Sequence, residues 1–494
     1  MIQYNNLNPH MSFVRECVNA CTHALYRVFA VRTSALEGKV KVIHLISGGD
    51  TGGAKTHVYS LLKYLNQIID VQLVCFRGGD FADGAAALGI PTIVLGGNFF
   101  SNLRAAKKLI RDGEYDLVHC HGALANVTGA LLRRSVRVPV ISTVHSDYRL
   151  DYLGRPFARA VYGTLNTWAL HRLDYRVCVS DPIRQRLIDR GFVPNRLFSI
   201  YNGLDFSHVV PKTDRAAYFA QFGYTVGEDD IIVGIAARLD PVKDIATLVR
   251  AVALAQKACP QLRLAIAGEG MERKKLGALA AELGIADSVF FLGWVDDLDS
   301  FYGALDINAL SSLSETFPYA LTEGARAHLA TVASNVGGVP VIIEHGVTGL
   351  LFEPGDVRLF AAYLARCALD ADYRHTLGEA LYRRGKADFS EEDTGLRQLE
   401  IYNSVFRMER NLRDGVRDGV LICGAYGFGN TGDDAILQAI IGEMRRIDPH
   451  MPLTVLSRRP KDTQRAFGVN ACHRFGVCSI RRILRRSQLF ISGG

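Results

Sequence analysis

Three absences narrow the class of this 494-residue chain before any motif is read. No uninterrupted apolar run reaches the roughly 18 residues that a membrane-spanning helix needs. The early apolar residues are broken up by Arg15, Glu16, Asn19, His23 and Arg27, so no secretory signal is evident. The 10 cysteines form no CxxC pair: Cys17 and Cys21 fall on one helical face, while Cys75, Cys178 and Cys423 lie in β-like apolar runs, where cysteine behaves as a small hydrophobe. A reducing cytoplasm is therefore expected, with neither a disulfide framework nor a zinc site. Strong charge is also missing: a net charge of +7 favours anionic ligands or membrane surfaces and gives no call for nucleic acid as a partner.

What is present is 48% hydrophobic content, enough for two or three domains with real cores. Residues 1–39 form an N-terminal helical extension, with Phe13, Val14, Cys17, Val18, Cys21, Leu25, Val28 and Phe29 at helical spacing. It is read as a helix packed on the body of the protein in preference to one resting on a membrane surface. From Lys41 short apolar runs alternate with helical patterns. The runs are Val42–Ile46, Val71–Phe76, Thr92–Leu95, Leu117–Cys120, Val140–Val144 and Arg176–Val179. A second series follows at Ile231–Ala236, Leu262–Ala267, Val289–Leu292, Ile307–Leu310 and Ala330–Ser334. Two doubly wound α/β domains are expected, residues 41–203 and 204–385, linked near Asn202-Gly203-Leu204-Asp205 and followed by a closing helical segment, 386–410. Ligands collect at the carboxyl ends of such strands, so two facing domains create a cleft.

The stretch from Ser312 to Glu323 is the centre of the functional argument. Glu315 precedes a tight turn through Phe317, Pro318, Tyr319 and Ala320, and Glu323 lies about two turns inside the helix that follows. A helix N-terminus suits phosphate oxygens, and carboxylates on either side suit hydroxyls, an arrangement that describes sugar, pyrophosphate and ribose. A plainer reading makes Glu315 a loop acid and Glu323 a solvated helix residue. Other candidates end strands of the same cleft. Arg238 and Lys243 pair a guanidinium with an ammonium, a sensible clamp for a diphosphate. Gly268-Glu269-Gly270 allows close approach, as do Gly52 and Gly53 in the turn from Ser47 to Gly53. His121 and His145 each follow a strand of the first domain and could bond hydroxyls or phosphate. The span Gly49–Thr56 nearly fits GxxxxGKT, but Ala54 replaces the last glycine, so an NTPase loop is set aside. Asp297-Leu298-Asp299 resembles a metal-binding DxD, yet its place before a helical pattern makes these acids an N-cap and a first-turn charge.

Taken together, Arg238 with Lys243, Glu315 with Glu323, and the run from Gly337-Gly338-Val339-Pro340 to Glu353-Pro354-Gly355-Asp356 resemble the signature of the family-four, or group-one, retaining glycosyltransferases. The resemblance covers about residues 41 to 408 and implies an α/β GT-B fold, with the donor held mainly by the second domain and the acceptor by the first. It implies that Arg238 and Lys243 bind pyrophosphate, Glu315 the sugar hydroxyls and Glu323 the ribose, with Gly53 and His145 near the reacting centre. Asn202-Gly203 resembles the interdomain motif. Members generally dispense with a divalent metal, so no cofactor is expected and the nucleotide-sugar is a substrate. Two departures stand out: Pro318 lacks an N–H in the anion-binding turn, which leaves the work to the amides of Tyr319 and Ala320, and Val341 replaces a common glutamate.

Residues 418–494 begin a third α/β module, with Val420–Gly424 entering a glycine turn, a helix from Ala435, and strands at Leu453–Ser457 and Leu489 onward. This resembles the opening of a polysaccharide pyruvyltransferase domain, a family that uses phosphoenolpyruvate, and suggests a truncated fusion of two enzymes. The leading expectation is a retaining glycosyltransferase acting on a cell-envelope glycan or lipid-linked acceptor; the alternatives are a bifunctional glycosyltransferase and pyruvyltransferase, or an inactive sugar-binding protein of GT-B fold. A cytoplasmic location at the inner face of the membrane follows. The basic and aromatic segment Tyr148, Arg149, Tyr152, Arg155, Phe157, Arg159 and Tyr162 suits an anionic lipid surface, with ordinary packing on the protein as the alternative. The full chain is then expected to float with anionic vesicles, and its failure to do so in a flotation assay would count against membrane contact.

Overall fold

The structure is a computed structural model that describes residues 40–49, 52–147 and 163–493. The helical extension 1–39 and the segment from Tyr148 to Tyr162 lie outside the described residues, as do Asp50 and Thr51 of the glycine turn.

Three parallel sheets follow one another along the chain. The first contains β1 (Lys41–Ile46), β2 (Asp70–Cys75), β3 (Thr92–Val94), β4 (Leu117–His121), β5 (Val140–Val144), β6 (Tyr175–Cys178) and β7 (Leu197–Ser199), in the order β3-β2-β1-β4-β5-β6-β7. The second contains β8 (Ile231–Ala236), β9 (Leu262–Ala267), β10 (Val289–Gly293), β11 (Ile307–Leu310), β12 (Ala330–Ser334) and β13 (Leu350–Phe352), in the order β10-β9-β8-β11-β12-β13. Helices cover both faces, which is why the strands are almost wholly apolar and not alternating. Chain order reverses beside β1 and beside β8, and such a switch point opens a crevice at the strands' carboxyl ends. The glycine turn leaves β1 and the Arg238–Lys243 loop leaves β8, so both sets of candidates sit at switch points. The fold is the α/β GT-B arrangement expected from the sequence. β7 and β13, at sheet edges, and the strand Asn470–His473 were not anticipated.

The chain crosses between the first two sheets twice, side by side. Leu204 donates its N–H to the Phe389 carbonyl at 3.0 Å, and Glu391 N–H reaches the Leu204 carbonyl at 3.1 Å. One helix therefore ends at Asp388, and the next, Glu391–Asp414, begins after the Ser390 cap, whose Oγ accepts from Asp393 N–H. The break falls at Phe389–Ser390, a few residues past the expected boundary at 385, and the closing helix runs on to Asp414 because Ile401, Tyr402 and Val405 bury themselves in the first sheet's core with Val42, Leu117 and Ile141.

The third sheet, β14 (Val420–Cys423), β15 (Leu453–Ser457), β16 (Asn470–His473) and β17 (Leu489–Ser492), is ordered β16-β15-β14-β17. It docks beside β7 through Arg184 Nη2 to Gly468 O at 2.8 Å, Asn195 N to Asn470 Oδ1 at 3.2 Å, and the Arg407–Asp448 ion pair at 2.6 Å. The helix entering from its glycine turn starts at Thr431, not Ala435, since Asn430 caps it through Gly432 N–H.

The closing helix rests on the helix Gly53–Leu65, and a methyl group at Gly395 would collide with the Tyr64 ring. Gly395→Ala is expected to lower stability by about 1–3 kcal/mol through overpacking, read as a shift in the urea unfolding midpoint.

Candidate functional site

The two carboxyl ends face each other closely. A Cβ built on Gly53 would lie 3.4 Å from Tyr319 Cδ2, so the first turn of the glycine-turn helix abuts the start of the helix Tyr319–Arg326. Gly52 caps the former with φ of 65°, a conformation that glycine reaches at little cost. Thr316 Oγ1 donates to the His145 carbonyl at 3.1 Å, and Asn202 Nδ2 donates to the Phe317 carbonyl at 3.1 Å. Thus Gly53, His145 and Asn202, from the first sheet and the crossing, all meet the 315–320 turn.

Within the second sheet the carboxylates are held by specific partners. Lys243, ending the short turn Pro241–Lys243, brings Nζ to 2.6 Å from Glu315 Oε1, which also accepts from Ser312 Oγ at 2.6 Å. Gly337 and Gly338 pack their backbones against the carbonyls of Glu315 and Thr316, where any side chain would collide. That contact explains the paired glycines: they brace the turn carrying Glu315. Glu323 is half-buried and accepts from Tyr302 Oη at 2.9 Å. Burial raises its pKa, while the Tyr302 hydroxyl and the Arg326 guanidinium pull it back down. The amides of Tyr319 and Ala320 have no protein acceptor among the described residues, and Pro318 caps the helix without a side-chain bond.

Two expectations need correcting. Phe317 offers no side chain to a ligand: it is buried, stacking on Tyr201 and meeting Phe389 edge-on. Gly268, at φ 137°, and Gly270 do permit a close approach, but to the backbone at Ala237 and Leu239, where a Cβ would clash. These two glycines let one loop lie on another and so set the course of the 237–243 loop. The Arg238 side chain is 73% exposed and paired to Asp240 at 3.1 Å. The reading of the DxD agrees with what is seen, since Asp297 accepts from Ser300 N–H as an N-cap and Asp299 pairs with Arg326.

Sequence reasoning missed the residues that hold the candidates: Tyr302, Ser312, Thr316, and a set of histidines beneath His121 and His145. His121 Nδ1 lies 3.3 Å from His145 Nε2, and His121 Nε2 lies 3.0 Å from His44 Nδ1. A signal existed: His119 and His121 alternate on β4, and His44 on β1 is in register with His119, so all three share one face. His57 stands beside them; burial lowers its pKa to about 4, the Asn202 side chain offsetting part of that, and neither ring nitrogen has a hydrogen-bond partner among the described residues. No described helix is long and apolar enough to cross a membrane.

Comparison with known proteins agrees with the fold. The family profile for glycosyl transferases group 1 matches residues 219–384, and that for Glycosyltransferase Family 4 matches residues 51–208. The chain is 30% identical over 322 residues to a D-inositol 3-phosphate glycosyltransferase of Saccharomonospora viridis, covering 62% of this chain and 73% of that one. It is 23% identical over 349 residues to the UDP-Gal:alpha-D-GlcNAc-diphosphoundecaprenol alpha-1,3-galactosyltransferase of Escherichia coli, covering 67% and 89%. Among solved structures, Anabaena HepE in complex with UDP-glucose aligns with a TM-score of 0.64 at 22% identity, over 74% of this chain and 99% of that one, a likeness of fold. Sucrose-phosphate synthase of Thermosynechococcus elongatus aligns with a TM-score of 0.62 at 21% identity, over 75% and 100%.

Because Tyr302 donates to a carboxylate that burial disfavours, Tyr302→Phe is expected to raise the Glu323 pKa further and to destabilise the fold by about 1.5–3 kcal/mol where the group is ionised. For an acid with a raised folded pKa, stability falls as pH rises through that pKa. The loss in the variant, followed by thermal melting against pH, is therefore expected to be larger at neutral pH than in acid.

Proposed function

This chain belongs to the group 1 glycosyltransferases of GT-B fold, and from that premise we propose that it is a retaining enzyme moving a hexosyl or N-acetylhexosaminyl group from a nucleoside-diphosphate sugar to a lipid-linked or growing envelope glycan. The observation that carries the reading is the Lys243–Glu315 pair beside the unpaired amides of Tyr319 and Ala320, opposite Gly53. In this reading Lys243 and the two amides receive the diphosphate, with Arg238 turning in from its exposed position. Glu315 keeps its second oxygen for a sugar hydroxyl, and Glu323 accepts from the ribose. Gly52, Gly53 and Asn202 shape the pocket around them, and His145, backed by the buried His121, lies near the reacting carbon.

Departure of a nucleoside diphosphate develops one further negative charge on a group that already carries two, where a cation and helix amides are already fixed, and such preorganised electrostatics is usually the largest single contribution to lowering the barrier. No carboxylate here is an obvious covalent nucleophile, so retention is assigned to the leaving phosphate, which takes the acceptor's proton on the face it departs from. No metal is called on. The acceptor class is supported by the printed activity of the Escherichia coli relative, which names a diphosphoundecaprenol acceptor, and a site of action at the inner face of the membrane goes with it. An inactive sugar-binding role sits poorly with the complete set of Lys243, Glu315 and Glu323. A second activity, pyruvyl transfer from phosphoenolpyruvate, rests on the glycine turn between β14 and the helix Thr431–Ile447, which resembles the opening of that family's domain.

Release of nucleotide from a panel of radiolabelled nucleotide-sugars is expected with the wild-type chain. Lys243→Ala and Glu323→Ala should each lose about 10²–10³-fold in kcat/KM. Equal turnover in all three would remove the enzymatic reading, and NMR of the product's anomeric carbon decides retention.

A further inference from the structure

Beneath the cleft of the first sheet runs an unbroken line of buried hydrogen-bonding groups. Thr143 Oγ1 lies 2.7 Å from His119 Nε2, and His119 Nδ1 lies 2.7 Å from Tyr402 Oη. Tyr402 Oη is in turn 3.4 Å from His44 Nε2, His44 Nδ1 is 3.0 Å from His121 Nε2, and His121 Nδ1 is 3.3 Å from His145 Nε2. Burial holds these imidazoles neutral, with His44 lowered to about 3 and His119, His121 and His145 well below their ordinary value, the neighbouring histidines adding to the effect.

A neutral imidazole has one N–H and one lone pair, so each ring in such a line must accept on one side and donate on the other. The direction is set at the buried end. Thr143 is 1% exposed and its hydroxyl has no acceptor other than His119 among the described residues, so it donates. His119 then donates from Nδ1 to Tyr402, Tyr402 to His44 Nε2, His44 from Nδ1 to His121, and His121 from Nδ1 to His145 Nε2. The His145 proton is left on Nδ1, which has no protein partner among the described residues.

We propose that this line fixes His145 as the Nδ1-protonated tautomer, so that it meets a ligand in the cleft as a hydrogen-bond donor and not as a base. Thr143, His119, Tyr402, His44 and His121 are positioning residues. Tyr402 belongs to the helix that returns from the second sheet, so the state of His145 depends on that helix being docked. The ligand's identity rests on the glycosyl-transfer reading; the tautomer does not.

The competing use of the same atoms is a metal site, because nitrogens of His44, His119 and His121 lie within 4.8 Å of one another. Their geometry argues against it. The His44 and His121 rings lie within 14° of parallel with their nitrogens 3.0 Å apart, the separation of a hydrogen bond, whereas tetrahedral zinc at about 2.0–2.1 Å from each would hold two nitrogens about 3.3–3.4 Å apart.

The test uses the full chain labelled with 15N-histidine and long-range proton–nitrogen NMR without substrate, His145 being assigned by its loss in His145→Gln. The wild type is expected to show His145 protonated on Nδ1, and Tyr402→Phe, which keeps the ring edge against His119, to give a mixture of tautomers; Thr143→Val at the far end should do the same if Tyr402→Phe fails to fold. With substrate, Tyr402→Phe is expected to lower kcat about tenfold with donor KM unchanged. A proton on Nε2 in the wild type, variants that leave the tautomer untouched, or stoichiometric zinc in the purified protein would each overturn the proposal. Absence of glycosyl transfer would leave the NMR result standing.

Discussion

Leu204 and Ser390 meet where the chain leaves the first sheet and comes back to it, and the placement of every cleft residue depends on that double crossing. The two strands are tied by reciprocal backbone bonds at Leu204, and Thr394 Oγ1 adds a bond to the Tyr201 carbonyl at 3.0 Å. Gly203 has no room for a side chain against Ser390 and Thr394. A few residues away, Asn202 reaches the Phe317 carbonyl and Arg326 reaches the Asp205 carbonyl, so the same junction grips the turn that carries Glu315. A single linker would leave two doubly wound units free to rotate; two adjacent ones, cross-bonded, limit them to a narrow range of relative positions.

That constraint shapes the electrostatics. Lys243 and Glu315 neutralise each other at 2.6 Å, and Ser312 occupies the same carboxylate oxygen, so the pair is held in one geometry before any ligand arrives. Glu323 is treated differently: it has a hydroxyl partner in Tyr302 and a cation in Arg326 that is shared with Asp299. One carboxylate is balanced by a full charge and the other by hydrogen bonding with divided charge, so the two glutamates, eight positions apart, stand in different electrostatic surroundings.

Much of the fold was legible because parallel strands buried on both faces must be apolar end to end. Ile231–Ala236, Leu262–Ala267, Ile307–Leu310 and Ala330–Ser334 match their expected limits to the residue. Of the edge strands of the first two sheets, Thr92–Val94 and Val289–Gly293 were legible, whereas Leu197–Ser199 and Leu350–Phe352 were not. In the site, Glu315, Lys243 and Glu323 could be picked out by chemistry and spacing, whereas Tyr302 and Ser312 matter only through contacts that the tertiary structure creates. Phe317 misled because a turn beside a ligand suggests exposure, and here the aromatic packing of Tyr201 and Phe389 claimed the side chain. Tyr402 was beyond reach of any local reading: its partner His119 lies 283 positions away.

The contact between Gly53 and Tyr319 also sets a width. With 3.4 Å between the Tyr319 ring and the point where a Cβ would stand, a methyl group at this position would meet the ring in ordinary van der Waals contact. The carboxyl ends of the two sheets are therefore separated here by the width of a single methyl, and the narrowest part of the space between them is walled by backbone on one side and an aromatic ring on the other.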